Sequence, residues 1–304
     1  MTEISVVVPT WQRAKWLQLC LESLCAQDLH PNEVLVVGRR EDREARRVSG
    51  IRDDDAPFAI RWLEVDSVGH IAPVIRGLSG AESDLVAFLD DDCQPEPRWL
   101  AQLVRPFADQ TVACVGGRVV TPGFVGKVRR DAGSIRWYGK HVGNVAALDL
   151  ALLREVAGVM ECNWAWRTDV LRSLPFDGAL DCDDASMYGL DLCLQAKELG
   201  WSVVYEPSAV VLHHAAPRED RLNREDRVHR SLSYARNYTY IGLKHFNGLR
   251  RMGFRIWWWS VGERGAYAAV TALADIFLGS ADVPARWQAA RRGRREGALL
   301  WRQR

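Results

Sequence analysis

Leu85-Val86-Ala87-Phe88-Leu89-Asp90-Asp91-Asp92-Cys93 sets an unbroken apolar run directly before three carboxylates. A short run of this kind reads as a strand buried on both faces, as in a parallel sheet covered by helices. In an open α/β sheet ligands bind beyond the carboxyl ends of the strands, so the triplet stands where a site belongs. Neighbouring carboxylates there can share a hard divalent cation, which in turn can grip a diphosphate. The competing reading is an acidic turn that caps a following helix. Three adjacent like charges repel one another without a counter-ion, which favours the cation.

Outward from this stretch, apolar runs alternate with helical patterns. Residues 4–8, 33–37 and 60–65 are further strand candidates, and residues 15–25 and 71–78 have helical periodicity. Residues 97–107 read as a helix opened by Pro97, and residues 112–120 as a strand with a bulge at Gly116-Gly117. The alternation predicts an α/β fold with a mixed, mainly parallel central sheet covered by helices. The second half differs. Residues 138–163 have weak patterning with a turn at Gly143-Asn144, residues 186–199 form a helix ended by Gly200, residues 203–205 and 210–212 are short strands, and residues 226–246 form a long helix. No period of about 20 to 50 residues repeats, which excludes a solenoid or propeller.

At 304 residues, with 48% hydrophobic and 26% charged positions, the chain can bury a full core. Forty basic residues against 39 acidic ones leave a net charge of +1, so no global field attracts nucleic acid, and no nucleic-acid partner is expected. Seven scattered cysteines without a C-x-x-C pair read as reduced thiols rather than a zinc site or a disulfide framework. The first strand begins near residue 4, leaving no room for a signal peptide, and the best apolar stretch, residues 266–279, is short and interrupted by Asp275. These features predict a cytoplasmic chain without a membrane span.

Val6-Val7-Val8-Pro9-Thr10 followed by Gln12-Arg13, the helix leading to Ser23-Leu24 and Gln27, and the strand ending in Asp90-Asp91-Asp92 together resemble family 2 glycosyltransferases of the GT-A, Rossmann-like fold. Asn163-x-Ala165-x-Arg167, Tyr205-Glu206-Pro207 with His213, and Arg236-Asn237-Tyr238 with Lys244-His245-Phe246 are similar to later segments of that family. The resemblance runs over about residues 4–246 and rests on the order and spacing of its motifs. It implies a catalytic domain over residues 1–246, with a nucleotide-sugar half (1–120) and an acceptor-side half (121–246), followed by a helical Trp/Arg-rich appendage at 247–304. It further implies a metal-dependent, inverting transfer of a sugar from a nucleotide-diphosphate donor to a small-molecule, lipid-linked or glycan acceptor.

Residue by residue, the resemblance puts Pro9, Thr10 and Arg13 along the nucleotide pocket. Asp90 and Asp91 fall at the donor, and Asp90 and Asp92 hold Mg²⁺ or Mn²⁺. His213 is a further ligand or phosphate contact, with His214 beside it as a second choice; an ordinary hydrogen-bonding histidine is the competing reading. The sequence also departs from the family. The acid expected after the second strand is missing from Gly38-Arg39-Arg40-Glu41-Asp42, where Asp42 is the substitute, and Arg39 and Arg40 either meet phosphate or face solvent. Arg76, beside Val74-Ile75, replaces an Arg-Asn pair. An inverting transfer needs a carboxylate to take the acceptor proton. The family position for it is Gly189 here, so the candidates are Asp184 and Asp183, ahead of Asp191, with an acidic loop as the bland reading of the first two. That departure also motivates an alternative, a catalytically weak or inactive sugar-nucleotide-binding protein of the same fold.

Three other functions are excluded by what is missing. A nucleotidyltransferase would follow strand one with a glycine-rich phosphate loop, where this chain has Pro9-Thr10-Trp11-Gln12-Arg13. A dinucleotide-dependent oxidoreductase would have G-x-G-x-x-G there. A glycoside hydrolase needs its two carboxylates farther apart than adjacent aspartates allow. In the tail, Arg255-Ile256-Trp257-Trp258-Trp259 and the arginines around Trp287 and Trp301 suit a peripheral contact with the inner face of a membrane. The alternative is a helical appendage packed on the catalytic domain or on a second subunit of a homo-oligomer.

Overall fold

The computed structural model describes residues 3–51, 56–67, 69–123, 131–143, 153–181, 187–216 and 226–304. In chain order the elements are β1 (Ile4–Pro9), α1 (Ala14–Cys25), β2 (Glu33–Gly38), α2 (Arg43–Ile51), β3 (Ala59–Glu64), α3 (Ile71–Gly80), β4 (Leu85–Leu89), β5 (Cys93–Pro95), α4 (Trp99–Val104), β6 (Val112–Val120), β7 (Arg154–Glu155), β8 (Asn163–Arg167), α5 (Thr168–Ser173), α6 (Tyr188–Glu198), β9 (Ser202–His213), α7 (Arg227–His245), α8 (Gly248–Ser260), β10 (Gly262–Glu263), β11 (Ala266–Tyr267), α9 (Ala269–Phe277) and α10 (Val283–Arg302). They form two compact units. The first comprises Met1–Ser134, Gly143–Phe176 and Leu192–Glu219, and the second comprises Ile135–Val142, Asp177–Asp191 and Asp220–Arg304.

The first unit is built on a mixed sheet in the order β3-β2-β1-β4-β8-β6-β9-β5, with β7 also paired to β9. The β1–β2, β1–β4, β2–β3 and β6–β9 ladders are parallel, and β8 runs antiparallel between β4 and β6. Because β1 and β4 are buried almost throughout, their sequences are apolar on both faces instead of alternating, save for Ser5, whose hydroxyl donates to Glu33. Val6 and Val8 join the core formed with Leu17, Leu21 and Leu24 of α1. Val7 faces the other way, toward α3, which approaches so closely that a Cβ on Gly77 would lie 2.2 Å from Val7 Cγ1. Helices thus cover both faces. Strand order reverses at β1, whose neighbours are β2 on one side and β4 on the other, so the carboxyl ends of β1 and β4 flank the switch point where α/β sheets open a crevice.

Two expected elements differ. The helix predicted over residues 97–107 ends at Val104 and tightens into a 3₁₀ turn, Arg105–Ala108, because Pro106 has no N–H to continue the α ladder. Residues 203–205 and 210–212 belong to one strand, β9, whose register against β6 jumps from Gly117↔Glu206 to Arg118↔Val210. The side chain of Asn163 bridges this irregularity: Nδ2 donates to the carbonyls of Arg118 (2.9 Å) and Ala209 (3.0 Å), while Oδ1 accepts from Trp99 Nε1 (2.7 Å). The bulge expected at Gly116-Gly117 is thus accommodated by extra residues in β9.

In the second unit Asp226 caps α7 by accepting from the N–H groups of Val228 and His229. Helix α10 packs along α7 at very short range. A Cβ on Gly293 would stand 2.2 Å from the Leu232 carbonyl oxygen, and one on Gly297 would stand 2.1 Å from that of Arg236. Arg294, between these glycines, is buried and donates to the carbonyls of Tyr267 and Ala266 at 2.8 Å each. Gly297→Val should therefore destabilise the second unit by about 3 kcal/mol or more, as overpacking against backbone does, readable as an earlier urea midpoint.

Burial also lowers the His141 imidazole to about 4. Its Nε2 is shielded from solvent, and its backbone N–H donates to Tyr238 Oη at 2.6 Å. Because the folded value lies below the unfolded one, the unfolded chain binds the extra proton between pH 6.5 and 4. Stability from this group is complete above about 6.5 and declines as pH falls through that window, by up to about 3 kcal/mol. His141→Gln should flatten the pH dependence of the melting temperature between 6.5 and 4.

Candidate active site

Three adjacent aspartates at the end of β4 have three different environments. Asp90 is half-buried at the rim, while Asp91 and Asp92 are 0% and 1% exposed. Asp91 Oδ2 accepts from Thr10 Oγ1 at 2.7 Å and from Arg13 Nε at 3.2 Å, and its Oδ1 pairs with Arg13 Nη2. Burial pushes the Asp91 carboxyl up to about 7 against the pull of Arg13. The other branch of the guanidinium, Nη1, reaches Asp92 Oδ2 at 2.9 Å. Arg13 is thus the counter-ion that the triplet requires, and it ties the loop after β1 to the tip of β4. The triplet leads into β5 and not into a helix, and the N-cap of α4 is Arg98, so a capping role for the acids does not apply.

Asp92 is held from several sides. Its Oδ2 also accepts from the Ala216 N–H at 2.8 Å, and its carbonyl accepts from the His214 N–H at 3.0 Å. Ala215, between those two donors, has φ 50°, a left-handed turn that brings the Ala216 N–H back onto the carboxylate. Burial opposes ionisation of Asp92, but His213, Arg13 and the Ala216 N–H outweigh it and hold the carboxyl well below the usual carboxylate range. Oδ1 is left over from these bonds and lies 3.3 Å from His213 Nε2. The antiparallel pairing of β5 with β9 sets Cys93 opposite His213 and so brings the end of β9 to the triplet.

Among the described residues, Asp92, Cys93 and His213 form a cluster whose donor atoms lie within 4.8 Å of one another. Two ligands at right angles on an ion with bonds of about 2.1 Å sit about 3.0 Å apart, so Asp92 Oδ1 and His213 Nε2 fit adjacent positions on a divalent cation. Cys93 does not suit a hard ion. Burial pushes its thiol well up, and Sγ donates to the Cys162 carbonyl at 3.7 Å.

The other residues singled out in the sequence have the following surroundings. Thr10 and Arg13 face the aspartates, and Pro9 ends β1 in a half-buried position. Asp42 is buried and accepts from Gln12 N–H at 2.5 Å and from Ala45 N–H at 3.1 Å, so it fixes the Gln12 turn (φ 53°) and supports the first turn of α2. Arg76 donates to the Glu64 carbonyl at 3.1 Å. Arg39 stacks over the Trp11 ring at 4.0 Å, whereas Arg40 is exposed and pairs with Glu64. His214 turns to Gln94 Oε1 at 2.5 Å and stacks on Trp16. The structural importance of Ala216 and Trp16 has no local sequence signal, since it depends on a backbone turn and on strand pairing.

Asp183 and Asp184 lie outside the described residues. Asp191 lies in the second unit within a buried ion network. Lys244 Nζ donates to Asp191 Oδ2 and to Asp177 Oδ2, both at 2.8 Å, His245 Nε2 donates to Asp191 Oδ1 at 2.7 Å, and Tyr240 Oη donates to Asp177 at 2.6 Å. Both Asp191 oxygens are engaged, and the side chain is 1% exposed.

The sequence model described as Glycosyl transferase family 2 matches residues 5–174, more than half of the chain, and the chain belongs to that family. It is 29% identical over 235 residues to a pre-mycofactocin glycosyltransferase of Mycobacterium tuberculosis (strain CDC 1551 / Oshkosh), covering 73% of this chain and 45% of that protein. It is 30% identical over 119 residues to a chondroitin synthase of Escherichia coli, covering 38% of this chain and 17% of that one. The chain therefore spans less than half the length of these curated relatives. Among solved structures, the mannosyltransferase PcManGT of Pyrobaculum calidifontis, in complex with GDP-Man and Mn²⁺, aligns over 100% of this chain and 88% of its own at TM-score 0.58 and 16% identity. GalNAc-T7 with UDP, GalNAc and Mn²⁺ aligns over 79% and 47% at TM-score 0.59 and 15% identity. These likenesses establish the GT-A fold.

Replacing Asp191 by Ala would leave the buried Lys244 ammonium with only the half-buried Asp177 carboxylate. Removing one partner from a buried ion pair costs about 3 to 5 kcal/mol, so Asp191→Ala should lower the melting temperature by several degrees, as measured by calorimetry.

Proposed function

We propose that this chain is a metal-dependent inverting glycosyltransferase that moves a sugar from a nucleotide-diphosphate donor to an acceptor nucleophile. The observation that carries this reading is the pair Asp92 Oδ1 and His213 Nε2, 3.3 Å apart at the carboxyl ends of the sheet, with Asp90 at the rim. Asp92, His213 and Asp90 would hold Mg²⁺ or Mn²⁺, which when bound supplies positive charge to the leaving diphosphate. Arg13 and the Ala216 N–H keep Asp92 ionised and oriented, and Thr10 with Arg13 keeps Asp91 from competing for the cation. The nucleotide lies along Pro9, Thr10 and the Trp11–Arg39 stack, near Asp42 and Arg76. Family membership and the fold shared with proteins solved with nucleotide sugars and Mn²⁺ support the same chemistry.

The acceptor proton goes to Asp184 or Asp183 in this reading, because both Asp191 oxygens are engaged by Lys244 and His245. The acceptor is a small molecule, a glycan or a lipid-linked sugar, and the enzyme works in the cytoplasm at the inner face of a membrane. A second reading, a sugar-nucleotide binder without turnover, is favoured by Gly189 at the start of α6, where the family resemblance expects a carboxylate.

Purified protein with Mn²⁺ and a panel of nucleotide sugars should hydrolyse one donor slowly. Asp92→Ala should lower that rate by about 10²-fold or more and abolish Mn²⁺-dependent donor binding in calorimetry. Unchanged kinetics would remove the metal assignment, and donor binding without turnover, even with acceptors supplied, would favour the binder. Single Asp183→Asn and Asp184→Asn variants should identify the base, one of them losing transfer while keeping donor affinity.

A further inference from the structure

Helix α8 is apolar on two opposite faces. Phe254, Trp257 and Trp258 are buried, as expected of a helix packed in its unit. On the opposite side Leu249, Met252, Ile256 and Trp259 are 77%, 54%, 63% and 44% exposed. Their spacing of three, four and three residues makes one continuous stripe along the helix. An ordinary surface helix is polar there.

The stripe ends at a cationic cavity. Trp259 and Arg255 of α8, Arg295, Leu299 and Arg302 of α10 and Leu243 of α7 line a space of about 500 Å³ within the second unit. Arg255, Arg295 and Arg302 are exposed, and among the described residues none of the three has a carboxylate partner. Of the other tail arginines, Arg286 and Arg294 are buried on backbone carbonyls and Arg292 pairs with Glu296, while Arg291 and Arg304 are exposed outside this cavity. The three free cations therefore ring an apolar floor at one end of an apolar stripe.

That arrangement matches the chemistry of an anionic phospholipid surface. Guanidinium groups fork onto phosphate, a tryptophan settles at headgroup level, and aliphatic side chains enter the acyl boundary. We propose that the α8 stripe, with Arg255, Arg295 and Arg302, is a docking surface for an anionic lipid bilayer. No described helix is long and apolar enough to cross a membrane, so the contact is peripheral. The proposal deepens the membrane-face reading given above and is independent of the transfer chemistry, so its failure would leave the donor site untouched.

Cosedimentation of the full chain with vesicles tests it. The wild-type protein should bind phosphatidylcholine vesicles containing phosphatidylglycerol, bind pure phosphatidylcholine poorly, and lose affinity in high salt. A Leu249→Asp/Ile256→Asp variant and an Arg255→Gln/Arg295→Gln/Arg302→Gln variant should each bind at least about tenfold more weakly, given roughly 1 kcal/mol per cation near an anionic surface. Melting curves verify that both variants fold, and Leu199→Asp, at an exposed leucine of the first unit, is the control that should bind normally. Failure of the wild type to bind phosphatidylglycerol vesicles, or binding at the wild-type level by either variant, overturns the proposal. So does a wild-type dimer that the stripe variant splits while vesicle binding persists, since the stripe would then belong to a second copy.

Discussion

The site depends on one guanidinium. Arg13 sits on the first turn after β1 and forks across Asp91 and Asp92, two carboxylates that the sheet has taken out of water. Buried charges of one sign are tolerated only when paired and hydrogen-bonded. The fork, the Thr10 hydroxyl and the Ala216 N–H together meet that requirement and join the ends of β1, β4 and β9 at one point. Once Arg13 occupies Asp92 Oδ2, the remaining oxygen, Oδ1, is the one that meets His213. The three acids of a uniform triplet therefore serve three purposes: Asp90 at the rim, Asp91 as framework and Asp92 facing the cluster.

How much of this was legible in the sequence follows from where each constraint is encoded. Strands β1, β4 and β6 are legible to within a residue because strands buried on both faces are almost wholly apolar, and that signal is local. Helix α2 is not legible because Arg43-Glu44-Ala45-Arg46-Arg47 is dominated by charge, and its start is fixed by Asp42, whose capping is visible only once its side chain is placed. Strand β5 has three residues, one of them a proline, too few to carry a period. The continuity of β9 was hidden by Pro207 and depends on Asn163, more than forty residues earlier. The acidic triplet announces a site and its need for a counter-ion; that the counter-ion is Arg13, which the family resemblance puts at the nucleotide, is a matter of three-dimensional register.

The second unit meets the same constraint, again with one cation between two carboxylates. Lys244 is 5% exposed between Asp177 and Asp191, and His245 adds a second donor to Asp191. A buried network of this kind contributes little net stability over apolar packing, but it specifies one arrangement, because any slip leaves a charge unpaired. Here it fixes the first turn of α6 against α7. Residues on either side of 182–186 are thus set by the same ammonium, which makes Lys244 a registry device within its unit.

The tail shows why composition alone misjudges arginine. Seven arginines after residue 285 suggest a solvated basic helix, yet their fates are decided by helical position. Arg286 and Arg294 fall on the face turned to α7 and the β10–β11 hairpin, where they end on carbonyl oxygens and aromatic rings. Gly293 and Gly297 let that face approach α7 backbone to backbone, so the buried guanidiniums find carbonyls within reach. Arg295 and Arg302, seven residues apart, share the opposite stripe and face open space. The same residue type therefore serves as an internal clamp at one angle of the helix and as a free cation at another, and the 3.6-residue period alone separates the two.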